Sequence, residues 1–330
     1  VEQIGGVLGA LVSDPVTMTG YMALAVVSGF GVCYLGVQTG VERITKFMMS
    51  CLLLLMIALA VNSVLLPGGE KGLEYYLLPD FSRLAQYSAN EVIFAAMGQA
   101  FFTLSLGIGS LAVFGSYIGK EKRLTGEALY VIMLDTFVAL MSGLIIFPAC
   151  SAFNIDPGAG PNLLFVTLPN VFNHMAGGQF WGALFFLFMT FAAMSTVIAV
   201  FENLIACIYD LTGWDRRKII SLGTVAIILL SLPCIFGFNI WSAIQPLGKG
   251  SAILDLEDFL VSNNLLPLGS LIYLAFCTSR YGWGWDNFIR EADTGEGVKF
   301  PRGLRFYLTY ILPIIVLYIF INGYIARSEE

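Results

Sequence analysis

Charge is what this sequence has least of. Only 12% of its 330 residues are Asp, Glu, Lys or Arg, against roughly 25% in soluble domains. Hydrophobic residues make up 57%, and mean hydropathy is +0.80. A water-soluble fold of this length has nowhere to hide so much apolar side chain, so the composition excludes one. Histidine is represented once, and the six cysteines (Cys33, Cys51, Cys150, Cys207, Cys234, Cys277) form no CxxC and no Cys/His cluster. Zinc and c-type haem motifs are thereby excluded, and no disulfide framework is in view. These cysteines are expected to fill apolar helix positions. Ser/His, HExxH and paired-Asp constellations are also missing, so the chain is not read as an enzyme. Nothing points to a nucleic-acid partner.

What is present is a series of apolar stretches near or above the ~20 residues that cross a bilayer. Eight are read, at about 18–37, 45–66, 91–118, 126–152, 179–211, 218–237, 255–278 and 304–326. Turn signals such as Pro67-Gly68-Gly69, Pro157-Gly158, Pro246-Leu247-Gly248 and Pro301-Arg302-Gly303 separate them. The fold class expected is an all-α polytopic membrane protein with about eight transmembrane helices. Of the 17 Lys and Arg, only Lys71, Arg83, Lys249 and Arg327 fall outside the connections that follow helices one, three, five and seven. Positive charge concentrates on the cytoplasmic side, so both chain ends are expected to face outward. An outward Val1 with no basic leader before it leads to the expectation that an odd number of helices precedes this chain. Two outward connections, 67–90 and 153–178, exceed a simple turn. The second is either a solvated connector or a lid that folds back.

Several residues do not belong in oil. The stretch Phe101-Phe102-Thr103-Leu104-Ser105-Leu106-Gly107-Ile108-Gly109-Ser110 puts two glycines and three hydroxyls in mid-membrane. Glycine costs about 1 kcal/mol against Ala in a helix interior. A break there is tolerated only where it lines a cavity or binds a ligand. The alternative is a packing seam of small residues. Asp135 sits inside Leu134-Asp135-Thr136 with no basic partner in its layer. It must be protonated, neutralised by a bound cation, or held as a structural hydrogen-bonded acid. Ala192, Ser195 and Thr196 stand at i, i+3 and i+4, on one helix face. One carbonyl and two hydroxyls suit a hard monovalent cation, although Ser and Thr also back-bond to their own helix. Glu202 and Asp210 fall in the cytoplasmic half of that helix.

The stretch from Gly98 to Gly109 strongly resembles the sixth helix of neurotransmitter:sodium symporters, above all the bacterial amino-acid transporters. Phe165-Val166-Thr167-Leu168-Pro169 and Ala176-Gly177-Gly178 resemble that family's fourth extracellular loop, and Gly40-Val41-Glu42-Arg43 the start of its fifth helix. The resemblance implies a partial inverted-repeat, leucine-transporter-like fold in which the eight helices match the family's helices four to eleven. Residues 1–66 then end the first repeat, 91–278 form the second, and 279–330 hold a cytoplasmic loop and the last helix. By the same resemblance, Phe102 closes over substrate, and Thr103 is shared with the first sodium site. Ser105 and Ile108 line the side-chain pocket, and the branched Ile108 favours an apolar substrate. Asp135 falls on a sodium-ligand position, and Gln99 with Asp135 matches the region that holds chloride in animal members. A fixed negative charge there implies that chloride is not required. Ala192, Ser195 and Thr196 match the second sodium site. Asp258 matches the outer gate acid, Asp210 the inner gate acid, and Ser116 with Tyr117 the network beneath that inner gate. The chain departs from many bacterial members at Ser50, where they carry a proline that lets helix five unwind.

The reading is therefore a multi-pass inner-membrane symporter that couples sodium to an amino acid, with a hydrophobic amino acid as leading substrate. Its partners are that amino acid and the lipid bilayer, with a homodimer left open. An osmolyte or amine symporter is the first alternative. A cation channel or sensor, in which Asp135 and the hydroxyls line a conduction path, is the second.

Overall fold

The computed structural model describes residues 2–36, 41–78, 81, 89–154, 163–174 and 177–328. Gly40, Arg83, Pro157-Gly158 and Ala176 lie outside the described residues. Described in order are α1 (Glu2–Ser13), α2 (Pro15–Tyr34), α3 (Arg43–Val64), α4 (Glu70–Leu77) and α5 (Ala89–Thr103). Then come α6 (Ser110–Ser116), α7 (Leu124–Ala152), α8 (Leu168–His174), α9 (Gly178–Thr212) and α10 (Arg216–Gly237). The chain continues through α11 (Ile253–Phe259), α12 (Leu266–Thr278), α13 (Trp285–Ala292) and α14 (Leu312–Ser328).

Seven helical stretches among the described residues are long and apolar enough to cross a membrane. The eighth expected span is the interrupted one, made of α5 and α6. Several spans begin about two residues before the apolar run, because a helix starts at its cap and not where the oil starts. Asp14 accepts the Val16 amide at 3.0 Å ahead of Pro15, and Asp215 accepts the Arg217 amide at 3.2 Å. At the far end of α9, Gly213 adopts φ +67° and its amide bonds the Tyr209 carbonyl at 2.8 Å, which stops the helix. α3 runs unbroken through Ser50, whose hydroxyl bonds back to the Lys46 carbonyl at 2.8 Å.

The chain divides into two compact units, Val1–Asp80 with Val138–Ile253, and Phe81–Phe137 with Leu254–Glu330. In the first, α2 packs on α9 and α10, and α3 packs on α9. Phe30 stacks on Phe201 with ring centroids 4.1 Å apart and planes within 11°. Gly29 permits this approach, since a Cβ there would lie 2.9 Å from the Phe201 ring. A second apolar cluster gathers Met56, Leu59, Ile145, Leu168, Val171 and Phe185. It includes the described part of the connection 153–178. The described part folds back: a π-helical turn, Leu163–Thr167, leads into α8, whose Leu168 and Val171 are fully buried. In the connection 67–90, α4 lays Tyr76 on Phe147, centroids 5.0 Å apart.

The same unit holds a feature that the distribution of basic residues had hidden. Arg216 reads in sequence as one more loop cation, but it is the first residue of α10 and turns inward. Its guanidinium meets Glu202 of α9 in a fork, Nη1 to Oε1 at 3.0 Å and Nη2 to Oε2 at 2.5 Å. Nε and Nη2 also donate to the Cys33 carbonyl at the end of α2, at 3.3 and 2.9 Å. Glu202 is fully buried. A buried carboxylate survives only with such a partner, and a bidentate one is the strongest kind.

The second unit is assembled from interrupted helices. α11 passes into α12 through a π-helical turn, Leu260–Leu265. α14 is preceded by a 3₁₀ turn, Arg302–Leu304, and a π turn, Tyr307–Ile311. Asn263 donates to the Gly323 carbonyl at 3.3 Å, and the Tyr324 hydroxyl donates to Asn264, so the π turn is pinned to α14. Between α6 and α7, Arg123 donates to the carbonyls of Asp293 and Gly297, at 3.0 and 2.5 Å. One side chain thus ties two connecting loops. The short helices α1, α4, α8 and α13 were not read from the sequence, since each is too short or too polar to register as a span.

Removing one partner of the buried pair tests its weight. Glu202→Gln should destabilise the protein by about 3–5 kcal/mol, and Glu202→Met/Arg216→Met should recover much of that loss. Thermal unfolding in detergent, followed by tryptophan fluorescence, reads both. A single variant that melts with the wild type would show that the pair contributes nothing to stability.

Candidate functional site

The break between α5 and α6 is the centre of the second unit. α5 ends at Thr103. The chain then takes left-handed conformations at Ser105 (φ +49°), Gly107 (φ +89°) and Gly109 (φ +91°) before α6 starts at Ser110. Backbone bonding continues to Leu106, whose amide reaches the Phe101 carbonyl at 3.1 Å, and resumes at Val113, bonded to Gly109 at 3.0 Å. A helix C-terminus and a helix N-terminus therefore meet within one span. Their partial charges are opposite, so such a junction can greet both ends of a zwitterion. The stretch is a true discontinuity, and its glycine also forms a close packing seam.

Glycine is required here by contact as well as by φ. A Cβ on Gly107 would fall 2.2 Å from the Leu266 carbonyl oxygen, and one on Gly269 would fall 2.2 Å from the Gly107 oxygen. Backbone touches backbone, and the break is keyed into α12. Gly269 was not singled out in the sequence because a lone glycine in an apolar helix carries no visible signal.

The sequence-derived residues sit as follows. Thr103 Oγ1 donates to Asp135 of α7, 2.9 Å from Oδ1 and 3.2 Å from Oδ2. Asp135 is half-buried, and among the described residues no Lys or Arg forms an ion pair with it. Gln99 stands one turn before Thr103 on α5 and is exposed. Phe102 and Ile108, 57% and 41% exposed, are open on the surface of their unit, with half-buried Ser105 between them. On α11, exposed Asp258 accepts from Ser262 Oγ at 2.9 Å, just ahead of the π turn. Ser116 bonds back to Val113 at 2.6 Å, and Tyr117 meets Phe114 edge-on with centroids 6.2 Å apart.

In the first unit, the Ala192 carbonyl accepts from Ser195 Oγ at 2.8 Å and from Thr196 Oγ1 at 3.2 Å. The three oxygens are together, in the back-bonded arrangement that Ser and Thr adopt when nothing else binds them. Exposed Asp210 lies in the last turn of α9, where the helix dipole opposes a negative charge. An acid in that position is better satisfied by an external cation than by its own helix. The Glu202–Arg216 pair is the polar feature that sequence reading missed, because its two members are 14 residues apart and looked like unrelated charges.

Comparison with known proteins agrees with this geometry. The sodium:neurotransmitter symporter family matches residues 8–330. An uncharacterized sodium-dependent transporter of Haemophilus influenzae is 32% identical over 315 residues, 94% of this chain and 66% of that protein. The uncharacterized sodium-dependent transporter YhdH of Bacillus subtilis is 31% identical, over 97% of this chain and 70% of its own length. This chain therefore spans about two thirds of such relatives. The crystal structure of MhsT in complex with L-phenylalanine superposes with a TM-score of 0.83 at 34% identity, covering 97% of this chain and 71% of that one. Break, polar contacts and likeness agree: the chain belongs to the sodium:neurotransmitter symporter family.

Proposed function

We propose that the full-length protein is a sodium-coupled symporter of a hydrophobic amino acid in the cytoplasmic membrane, and that this chain carries residues of both of its sodium sites. The observation that carries the reading is the Thr103–Asp135 contact. A hydroxyl has one proton and two lone pairs. With its proton given to the carboxylate, Thr103 keeps both lone pairs for a cation, and Asp135 supplies the charge. The same logic applies on α9, where Ser195 and Thr196 spend their protons on Ala192 and keep their lone pairs. Residues 91–278 form the second inverted repeat in this reading. The phenylalanine bound by MhsT, together with Ile108 beside the break, supports an apolar side chain on the substrate. Phe102 closes over it, Ser105 lines its pocket, and Asp258 and Asp210 act as the outer and inner gate acids, with Ser116 and Tyr117 below the latter.

Work is done by coupled binding. Sodium held at Thr103 stiffens the end of α5, which borders the break that receives substrate. The effect is reciprocal, so substrate must raise sodium affinity by the same factor. Uptake that saturates with substrate and moves a fixed number of sodium ions separates this function from a conduction path.

Two experiments bear on the ion sites. Ser195→Ala/Thr196→Ala removes two oxygen ligands and no charge. It should raise the sodium concentration for half-maximal uptake several-fold and leave the preference among amino acids unchanged. An unaltered sodium activation curve would take the second site away from these residues.

Asp135→Asn keeps an oxygen and nearly the same volume but deletes the charge. A unit charge at about 4 Å is worth about 4 kcal/mol at an effective dielectric of about 20, so sodium affinity should fall at least about tenfold. Wild-type uptake should be equal in chloride and gluconate media, since Asp135 supplies the negative charge that an anion would otherwise bring. Strong inhibition of the wild type in gluconate would refute that substitution.

A further inference from the structure

Outside the substrate region, the second unit carries a groove of about 1080 Å³ between the end of α12, α13 and the start of α14. Its lining changes character along its length. At one end are Arg280, exposed just past the end of α12, and Arg305, whose guanidinium lies 5.9 Å from the centre of the Trp285 ring. Leading away from them are two apolar rails. Leu271 and Ala275 lie one turn apart on α12, and Phe306 and Tyr310 occupy equivalent positions ahead of α14. From Thr278 back to Leu271 is two helical turns, about 10 Å.

The geometry points to a binding site for an anionic phospholipid, with the headgroup phosphate between Arg280 and Arg305 and one acyl chain laid along Leu271, Ala275, Phe306 and Tyr310. Three observations carry it. Among the described residues neither arginine makes an ion pair with a carboxylate, and Asp286 is the one acid in the lining. Two fixed cations against one anion leave a net positive mouth. Tyr281 (94% exposed) and Trp283 (37% exposed) flank that mouth, and amphipathic aromatics collect at the headgroup level of a bilayer. The plane of the arginines is therefore the plane where phosphates lie. Lastly, the charge distribution of the chain assigns this end to the cytoplasmic face, where basic pockets between transmembrane helices take anionic headgroups. A soluble anion would satisfy the arginines but leave the rails bare. A lipid with its tail in place satisfies both.

The site tests without any reference to transport. The full-length protein is placed in nanodiscs of phosphatidylcholine doped with phosphatidylglycerol, and retained lipid is counted by native mass spectrometry. The wild type should hold phosphatidylglycerol in preference to phosphatidylcholine. Arg280→Gln/Arg305→Gln should reduce that preference roughly 10- to 30-fold, whereas Arg217→Gln/Lys218→Gln, equal in charge change but on α10, should keep it. Undiminished preference in the first variant, or an equal fall in the second, overturns the proposal. A wild-type measurement guards against a variant that misfolds. Phosphatidylglycerol with a photoreactive acyl chain should label peptides within 271–286 or 303–313, and labelling confined to other helices overturns the site. Glycerol phosphate, which has the headgroup without the tail, should not compete with the probe, and efficient competition would remove the acyl rails from the site.

Discussion

A peptide group in hydrocarbon has no water to bond. That single constraint governs this molecule, because every place where the backbone leaves the helical ladder must find its partners inside the protein or in a ligand. Among the described residues, five of the seven apolar stretches obey by staying α-helical throughout their span. The exceptional one, from Thr103 to Ser110, leaves that ladder and packs against the backbone of α12, closer than any side chain other than hydrogen would allow. Gly107 and Gly269 each face backbone, so neither position accepts a side chain. The π turns at Leu260–Leu265 and Tyr307–Ile311 are milder departures of the same kind, and Asn263, Asn264 and Tyr324 answer the first of them from the side.

The polar side chains inside the spans follow a second rule derived from the first. Those at the sites described here donate to an acceptor within reach: Thr103 to Asp135, Ser195 and Thr196 to Ala192, and Arg216 to Glu202 and Cys33. The difference lies in what is left over. Arg216 and Glu202 cancel in charge, which suits a structural clasp. In the proposed sodium sites, Asp135 beside Thr103 supplies one negative charge, and the α9 hydroxyls supply lone pairs. Unbalanced remainders in oil are where an ion can gain by binding.

Much of this was legible in the residues. The spans, their number and the break at Gly107-Ile108-Gly109 follow from hydropathy and from small polar residues where oil should be. Thr103 and Asp135 were each visible as misfits, but their contact across 32 positions was not, because spacing carries no information between helices. Arg216 was misread for a clear reason: basic residues near span ends are counted as loop charges, and only packing shows which one turns inward. The short helices α4, α8 and α13 escaped because each is too short or too polar to register as a span, although α13 buries Trp285, Ile289 and Ala292 at helical spacing.

The clasp between Glu202 and Arg216 also bears on how the protein is made. A membrane helix inserts as it leaves the ribosome, and a bare carboxylate inside it is penalised by about 2.5–3.5 kcal/mol at the centre of the bilayer. Glu202 does not have to wait for a distant helix to relieve that penalty. Its partner is 14 residues downstream, at the first turn of the next span. The α9–α10 hairpin can therefore enter the bilayer already neutralised, as one unit. The third participant, the Cys33 carbonyl on α2, was inserted well before either of them. The new hairpin thus meets a waiting acceptor, and docking onto α2 becomes the step that completes its assembly.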